Sequence, residues 1–356
     1  MIGLSLTSVV LGRRAAPVWT PGALFGPATP GIWIDPARLD LLAQDAAGSV
    51  PVTGPGQPVG LARRAAGTVD AAQPVALSRP TLSRWPRGGR RNLANGAQAV
   101  GDAAYWPEAV TSNGITAAKI ATGVEDGVPY VDVRYQGLAA GTQHAGAYII
   151  SNSNAPAASG EVFTARVTAR VIAGSAPGGV AIPGIRINIE ERNASGVWVA
   201  GGGSAVGATS AEDTTVTLTR ALTDATAASA QTVVTLGFTS GAVVDVTYRL
   251  TGLQFEAGAT ATPLQHNRGP HDVTEPGVPD VWHLWDDGGD SLPVSLPAGT
   301  YGRAWVDHLG AVTVDAVSDP ANALLAARQA GVILRQGAFS PAEEAAIRSY
   351  WEGLAP

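Results

Sequence analysis

None of the 356 residues is a cysteine, so neither a disulfide framework nor a thiolate metal site can form, and cysteine usage says nothing about compartment. Lysine is almost missing: Lys119 stands alone among 23 basic residues, and the formal net charge is -6. No basic stripe exists to pair with a phosphate backbone, which argues against nucleic acid as a partner. Long hydrophobic runs are also missing. No stretch approaches the roughly 20 apolar residues that a membrane-crossing helix needs, so no membrane insertion is expected. The apolar run at Met1–Leu11 is followed, not preceded, by Arg13 and Arg14, the reverse of a signal peptide. Residues 1–30 read instead as an extended arm that docks on a neighbour.

In place of these, the chain carries 44 glycines and 25 prolines with only 15% charged residues, a balance that suits many short strands joined by turns. Period-two alternation is strongest in the middle. Phe163, Ala165, Val167, Ala169 and Val171 fall on one face of a strand, with Thr164, Arg166, Thr168 and Arg170 on the other. Ile185, Ile187 and Ile189 alternate with Arg186, Asn188 and Glu190, and Asn193-Ala194-Ser195-Gly196 then supplies turn chemistry before Val197-Trp198-Val199, which predicts a hairpin. Further strands are expected at 214–220, 232–238 and 243–250, the last with Val244, Val246, Tyr248 and Leu250 inward. Regular spacing of this kind predicts a mainly β chain built on an antiparallel jelly-roll β-sandwich. Residues 50–91 show no sustained periodicity and are expected to be extended, ordered by contacts with something else. At the far end Ser340, Pro341 and Glu343 form a capping box opening a short helix over 340–352, with Ala345, Ile347, Trp351 and Leu354 as its buried face.

The segment Leu253-Gln254-Phe255-Glu256-Ala257-Gly258, running on to Thr262-Pro263, resembles the closing strand of the carbohydrate-binding-module-like jelly rolls of bacteriophage virion proteins. The leader Gly31-Ile32-Trp33-Ile34-Asp35-Pro36, with Pro51-Val52-Thr53, Gln57-Pro58-Val59-Gly60 and Ser78-Arg79-Pro80-Thr81-Leu82, is similar to one that introduces a laminin-G-like (concanavalin-type) sandwich in phage structural proteins. Trp285-Asp286-Asp287-Gly288 and Phe339-Ser340-Pro341 resemble later pieces of that framework. The family's usual segment after the leader is replaced by Arg63-Arg64-Ala65-Ala66, so the outer framework looks degenerate. The resemblance implies a docking arm at 1–30, a leader and first framework part at 31–91, a jelly roll at 92–266, and a C-terminal β segment with its helix at 267–356. It implies a tail-fibre or tail-tip component that adheres to host-surface glycan, bound to other virion proteins through its arm and located on the virion.

Candidate chemistry is sparse. Gly289-Asp290-Ser291-Leu292 spells an esterase block, but Asp280-Val281-Trp282-His283 lies upstream of it and not downstream, and a turn between strands is the better reading of Ser291. His266, His271 and His283 have Asp272, Asp286, Asp287 and Asp290 nearby but lack a spacing that would make them converge on a metal, and they read as a solvated linker. Adjacent carboxylates such as Glu190-Glu191 point to opposite faces of a strand and do not form a glycosidase pair alone. Aromatic rings stack on the apolar faces of sugars while polar neighbours bond the hydroxyls. The expected carbohydrate-binding residues are therefore Trp198, on a strand just after a polar turn, then Trp106 and Tyr135, with Arg134 and Asp132 beside Tyr135. No cofactor is expected beyond a structural calcium, for which Glu125-Asp126 or Asp102 are candidates.

The expectation is thus a non-enzymatic, homo-oligomeric adhesion protein, most simply a trimer, since a disulfide-free chain with extended ends is readily stabilised by symmetric assembly. The alternatives are a polysaccharide-degrading or esterase enzyme of the virion, and a head fibre, collar or decoration protein that binds no sugar.

Overall fold

The computed structural model describes residues 19–94, 109–110, 113–141, 148–150, 155–179, 183–204, 207–321, 324 and 328–353. The chain opens with β1 (Gly31–Ile34) and β2 (Thr81–Pro86), two strands of a long sheet. It then leaves that sheet for a sandwich made of β3 (Ile115–Glu125), β4 (Val128–Leu138), β5 (Tyr148–Ile150), β6 (Val162–Gly174) and β7 (Gly184–Asn193). The sandwich is completed by β8 (Trp198–Gly203), β9 (Thr214–Ala221), β10 (Ala227–Gly237) and β11 (Val243–Ala257). The chain returns to the long sheet with β12 (His266–Gly269), β13 (Asp272–Thr274) and β14 (Asp280–Trp285). It ends with β15 (Tyr301–Asp307), β16 (Val312–Val317), β17 (Arg328–Gln336) and the helix α1 (Pro341–Glu352).

The sandwich has one sheet ordered β9-β6-β11-β4-β3 and a second ordered β8-β7-β10-β5, extended by residues 109–110. Successive strands cross repeatedly from one sheet to the other, the connectivity of a jelly roll. The alternation read from the sequence becomes the core: Phe163, Ala165, Val167 and Ala169 of β6 face Ile185, Ile187 and Ile189 of β7, all nearly or fully buried. Phe163 stacks on Phe255 at 5.1 Å. The β3–β4 hairpin turns on Asp126 and Gly127, both at positive φ, the two-residue turn whose twist matches that of the strands. This Asp-Gly pair is a hairpin signal that sequence reading passed over. It also corrects the calcium expectation at Glu125-Asp126, because the Glu125 carboxylate is taken by Arg170 and Arg249. Asp102 lies outside the described residues.

The long sheet runs β12-β13-β2-β14-β17-β1, with β15 on the other side of β17 and β16 beyond it. Its strands come from both ends of the described chain, so the sandwich is inserted between β2 and β12. Residues 50–91 are not ordered by an outside partner: Leu42–Ala43, Leu61–Ala62 and Ala71–Ala72 form a small sheet of their own, and Leu42, Val52, Val59, Ala62 and Ala71 are buried against Leu82, Leu284 and Val332. The other face of the long sheet carries α1. Ser340 accepts from the Glu343 amide while Glu343 accepts from the Ser340 amide, the expected capping box. Ile347 and Trp351 are buried, Ala345 is exposed and Leu354 lies outside the described residues.

A buried polar knot holds the two bodies together. The Asn92 side chain donates to the carbonyls of Leu253 (3.1 Å) and Gln265 (2.9 Å) and accepts from the amides of Ala94 and Phe255. Gln265 accepts from the amides of Arg91 and Asn92 and donates to Gly89 and Glu275. Gln254 donates to Glu256 and Thr262, and Glu256 accepts from the amide and hydroxyl of Thr262. The Gln254, Glu256 and Thr262 pattern is therefore a fastening: each of these polar groups takes its partner from within the knot, as burial demands.

Candidate functional site

The five expected sugar-binding residues do not form one site. Pairing in β4 places Val131, Val133 and Tyr135 inward and Asp132 and Arg134 on the outer face of the first sheet. Tyr135 is fully buried against Tyr248, so it is a core residue and not a stacking platform; burial also pushes its phenol pKa up. Asp132 is buried in a two-point pair with Arg249, 2.8 and 2.9 Å. Arg134 pairs with Asp245 at 2.9 Å in an exposed salt bridge on that same outer face. Trp106 lies outside the described residues. Among the four that are described, Trp198 alone is an exposed aromatic, at 54%, and it lies on the opposite side of the sandwich, on the second sheet.

Around Trp198 the second sheet presents a polar row. Because Ile185, Ile187 and Ile189 point into the core, Arg186, Asn188, Glu190 and Arg192 point outward, opposite Thr235, Val233, Gln231 and Ser229 of β10. On the other side Asn188 and Glu190 pair with Gly203 and Gly201, and Arg192 with Trp198 across a bulge. The turn that places Trp198 is held by Asn193, whose carboxamide oxygen accepts from the amides of Ser195 and Val197, each at 3.0 Å. The glycines of β8 place no side chain over Asn188, Glu190 and Arg192, which are half-buried, while Arg186, Gln231, Val233 and Thr235 are buried. A Cβ on Gly203 would stand 2.2 Å from the Asn188 side-chain oxygen and 2.6 Å from an Arg186 nitrogen, and one on Gly201 would touch the Trp198 indole nitrogen at 3.1 Å.

Glu190 accepts from Arg192 at 3.0 Å and from Gln231 at 2.9 Å, and Arg192 also donates to the Gly196 carbonyl. The row thus runs from the open indole of Trp198 to a sheltered end at Arg186, which is 8% exposed and whose guanidinium burial pulls its pKa down. The Nε atoms of Arg186 and Arg192 are buried without a hydrogen-bond partner. Such a surface offers an aromatic face beside donors and acceptors that are already oriented.

The remaining candidates fall elsewhere. The Ser291 hydroxyl oxygen accepts from the Gln73 side-chain amide at 2.5 Å and its own backbone amide donates to the Ser78 carbonyl; no described histidine hydrogen-bonds it. Glu191 is fully buried on the inner side, opposite in direction to Glu190. Burial pushes its carboxyl pKa up, but the amides of Asp224 and Thr223 and the Arg220 guanidinium more than offset that and hold it low. His266, His271 and His283 do not lie on a solvated linker. They sit on or beside β12, β13 and β14 of the long sheet, and His283 is wholly buried with a pKa pushed down to about 3, by burial above all. The side chains of Asp286, Asp287 and Asp290 do come within 4.8 Å of one another in the turn after β14.

Fold and surface together define a chain with a β-sandwich inserted into a second β body, the one exposed aromatic among the described residues, Trp198, lying on the sandwich. No protein-family profile matches the sequence, and no curated protein matches it. Among solved structures, a CBM4 domain is similar at 15% identity and a TM-score of 0.27, covering 50% of this chain and 88% of that one. The N-terminal cellulose-binding domain of Cellulomonas fimi beta-1,4-glucanase C gives 18% identity and 0.26, over 42% of this chain and 91% of that one. The enzymatically active domain of Bacteriophage CBA120 tailspike protein 4 gives 12% and 0.24, over 43% of this chain and 19% of that one. These superpositions are loose, and the sandwich is defined by its own sheets.

Proposed function

We propose that the protein binds glycan through the outer face of the second sheet, with Trp198 stacking on a sugar ring and Arg192, Glu190 and Asn188 bonding its hydroxyls. The observation that carries this reading is Trp198 itself: an exposed indole beside a strand of three glycines and a row of pre-oriented polar groups. An indole with an open face beside polar side chains is the arrangement that stacks on the apolar face of a sugar ring. Binding without turnover is part of the proposal, supported by the engagement of Ser291 with Gln73 and by the opposed directions of Glu190 and Glu191.

The setting we propose is a bacteriophage virion, as a tail-fibre or tail-tip component present as a homotrimer and docked through its N-terminal arm; residues 19–30 of the expected arm pack instead on the chain's own helix, where Leu24 is buried and Trp19 meets Tyr350. Its support is the leader around Gly31–Pro36 and the long sheet that an inserted module interrupts. Weak sites repeated over many copies would supply avidity. A glycan array followed by calorimetry on the best ligand tests the binding. Trp198→Ala should abolish detectable binding while circular dichroism stays unchanged; a folded variant with full affinity, or no bound glycan on the array, refutes it. Light scattering after size exclusion reads the oligomer, and immunogold labelling of intact particles the location.

A further inference from the structure

A pocket opens on the body that does not carry Trp198, at a fork in the long sheet. β15 occupies one edge of β17 from Gln329 to Arg335, so β1 and β14 share the other edge. There β14 pairs only through Leu284 with Gln329 and Trp285 with Arg328, while β1 pairs from Ile34 with Val332 to Gly31 with Arg335. Ala330 and Gly331 fall between the two strands and pair with neither. The gap is a pocket of about 350 Å³, lined by Trp33 and Asp35 from the β1 side, Asp280 and Trp282 from β14, and Tyr350 and Trp351 from the end of α1. Gly331 makes room for the helix, since a Cβ there would stand 3.2 Å from the Trp351 indole.

The aromatic walls are steeply inclined to one another. Trp33 and Tyr350 have ring centres 6.1 Å apart with planes at 85°, and Tyr350 and Trp351 have centres 6.4 Å apart with planes at 58°. A sugar ring needs one flat face to lie on, whereas rings at such angles surround a compact group, and a cation is drawn to their π-faces. Trp282 on the other wall already has the Arg84 guanidinium 5.3 Å from its ring centre.

Asp35 supplies the complementary charge. It is half-buried, accepts a hydrogen bond from the Ala37 amide at 3.0 Å, and has no ion pair among the described residues. Arg38, three positions on, is turned to Asp40 in a two-point pair of 3.0 and 2.8 Å. Burial above all pushes the Asp35 carboxyl pKa up; burial and then the Asp35 charge push up that of the Tyr350 phenol, as expected of a carboxylate close to that ring. Asp280 has Arg84 at 3.6 Å, but that guanidinium lies nearer to Asp272, at 2.6 Å. A primary ammonium is strongly hydrated and needs several acceptors to replace its water. A methylated ammonium sheds water more readily and needs only π-faces and a nearby negative charge.

We propose that this pocket binds a methylated ammonium group of the choline type, enclosed by Trp33, Tyr350 and Trp351 and paired with Asp35. The proposal stands whether or not the Trp198 face binds glycan.

The test is calorimetric and indole-fluorescence titration of the full chain with choline, with ethanolamine, and with the uncharged isostere of choline in which a tert-butyl group replaces the trimethylammonium. Saturable binding of choline is expected, at least tenfold tighter than that of either comparison compound. Phosphatidylcholine vesicles, titrated alongside, separate a lipid source of the head group from a soluble one. Asp35→Asn keeps the acceptor for Ala37 but removes the charge, and should weaken choline binding at least tenfold, while Trp198→Ala should leave it unchanged. No binding of choline, equal affinity for the uncharged isostere, full affinity in folded Asp35→Asn, or loss of binding in folded Trp198→Ala would each overturn it. Should Asp35→Asn fail to fold, the wild-type protein still decides: choline must shift the indole N–H resonance of Trp33 and not that of Trp198, and the reverse pattern sinks the proposal.

Discussion

His283 makes the fold acid-labile in a way that can be measured. Its ring is wholly buried, 5.0 Å from Trp85 and 5.4 Å from His308, and its Nε2 has no partner to stabilise an added proton. Its pKa falls from 6.5 to about 3, chiefly through burial, with His308, Arg328 and His271 opposing a further charge. Between those values the unfolded chain binds a proton that the folded chain refuses, so stability is complete above pH 6.5 and is lost as the pH falls towards 3. A tenfold difference in proton affinity between the folded and unfolded chain is worth about 1.4 kcal/mol, which makes the loss from pH 6 to pH 4 about 2.5 kcal/mol from His283 alone. His266, His271 and His308 are also lowered by burial and add to the same slope. Urea unfolding of the wild type and of His283→Gln at several pH values isolates the residue, because every other titrating group is common to both. The variant's stability should fall less over this interval, by about 2.5 kcal/mol. Curves that run parallel within about 0.5 kcal/mol, or an imidazole titration of His283 centred above pH 5, would refute the reasoning.

Three further outcomes are expected. Asn92→Ala strips four hydrogen bonds from the buried knot between the bodies, so urea unfolding should show a loss of at least about 3 kcal/mol. Tyr135→Phe removes a hydroxyl that is buried and unpartnered, and the melting temperature should hold or rise, corresponding to a change of about 0 to 1 kcal/mol in favour of the variant. Ser340→Ala deletes the helix cap that accepts from Glu343, and denaturant unfolding should register a cost of about 1 kcal/mol.

Local chemistry was enough for the elements whose signals are local. Alternation in Phe163–Val171 and Ile185–Ile189 depends only on which side chains leave water, and the Ser340-Pro341-Glu343 cap depends on amides one turn away; both could be read without a partner strand. Trp198 as an exposed aromatic followed from the polar turn before it. Sequence could not say that Tyr135 faces the core while Asp132 and Arg134 are consumed by Arg249 and Asp245, because those partners lie more than a hundred positions along the chain. The same distance hid the role of Gln254, Glu256 and Thr262 as a knot around Asn92, and hid the meeting of Trp85 with Trp285, His308 and Arg328. Composition and periodicity alone decided that this chain would be layered β structure. Which polar groups are spent on holding those layers, and which are left facing solvent, was decided only when strands from both ends closed into one sheet, since a charge or an indole acquires its chemistry from neighbours that the linear order does not specify.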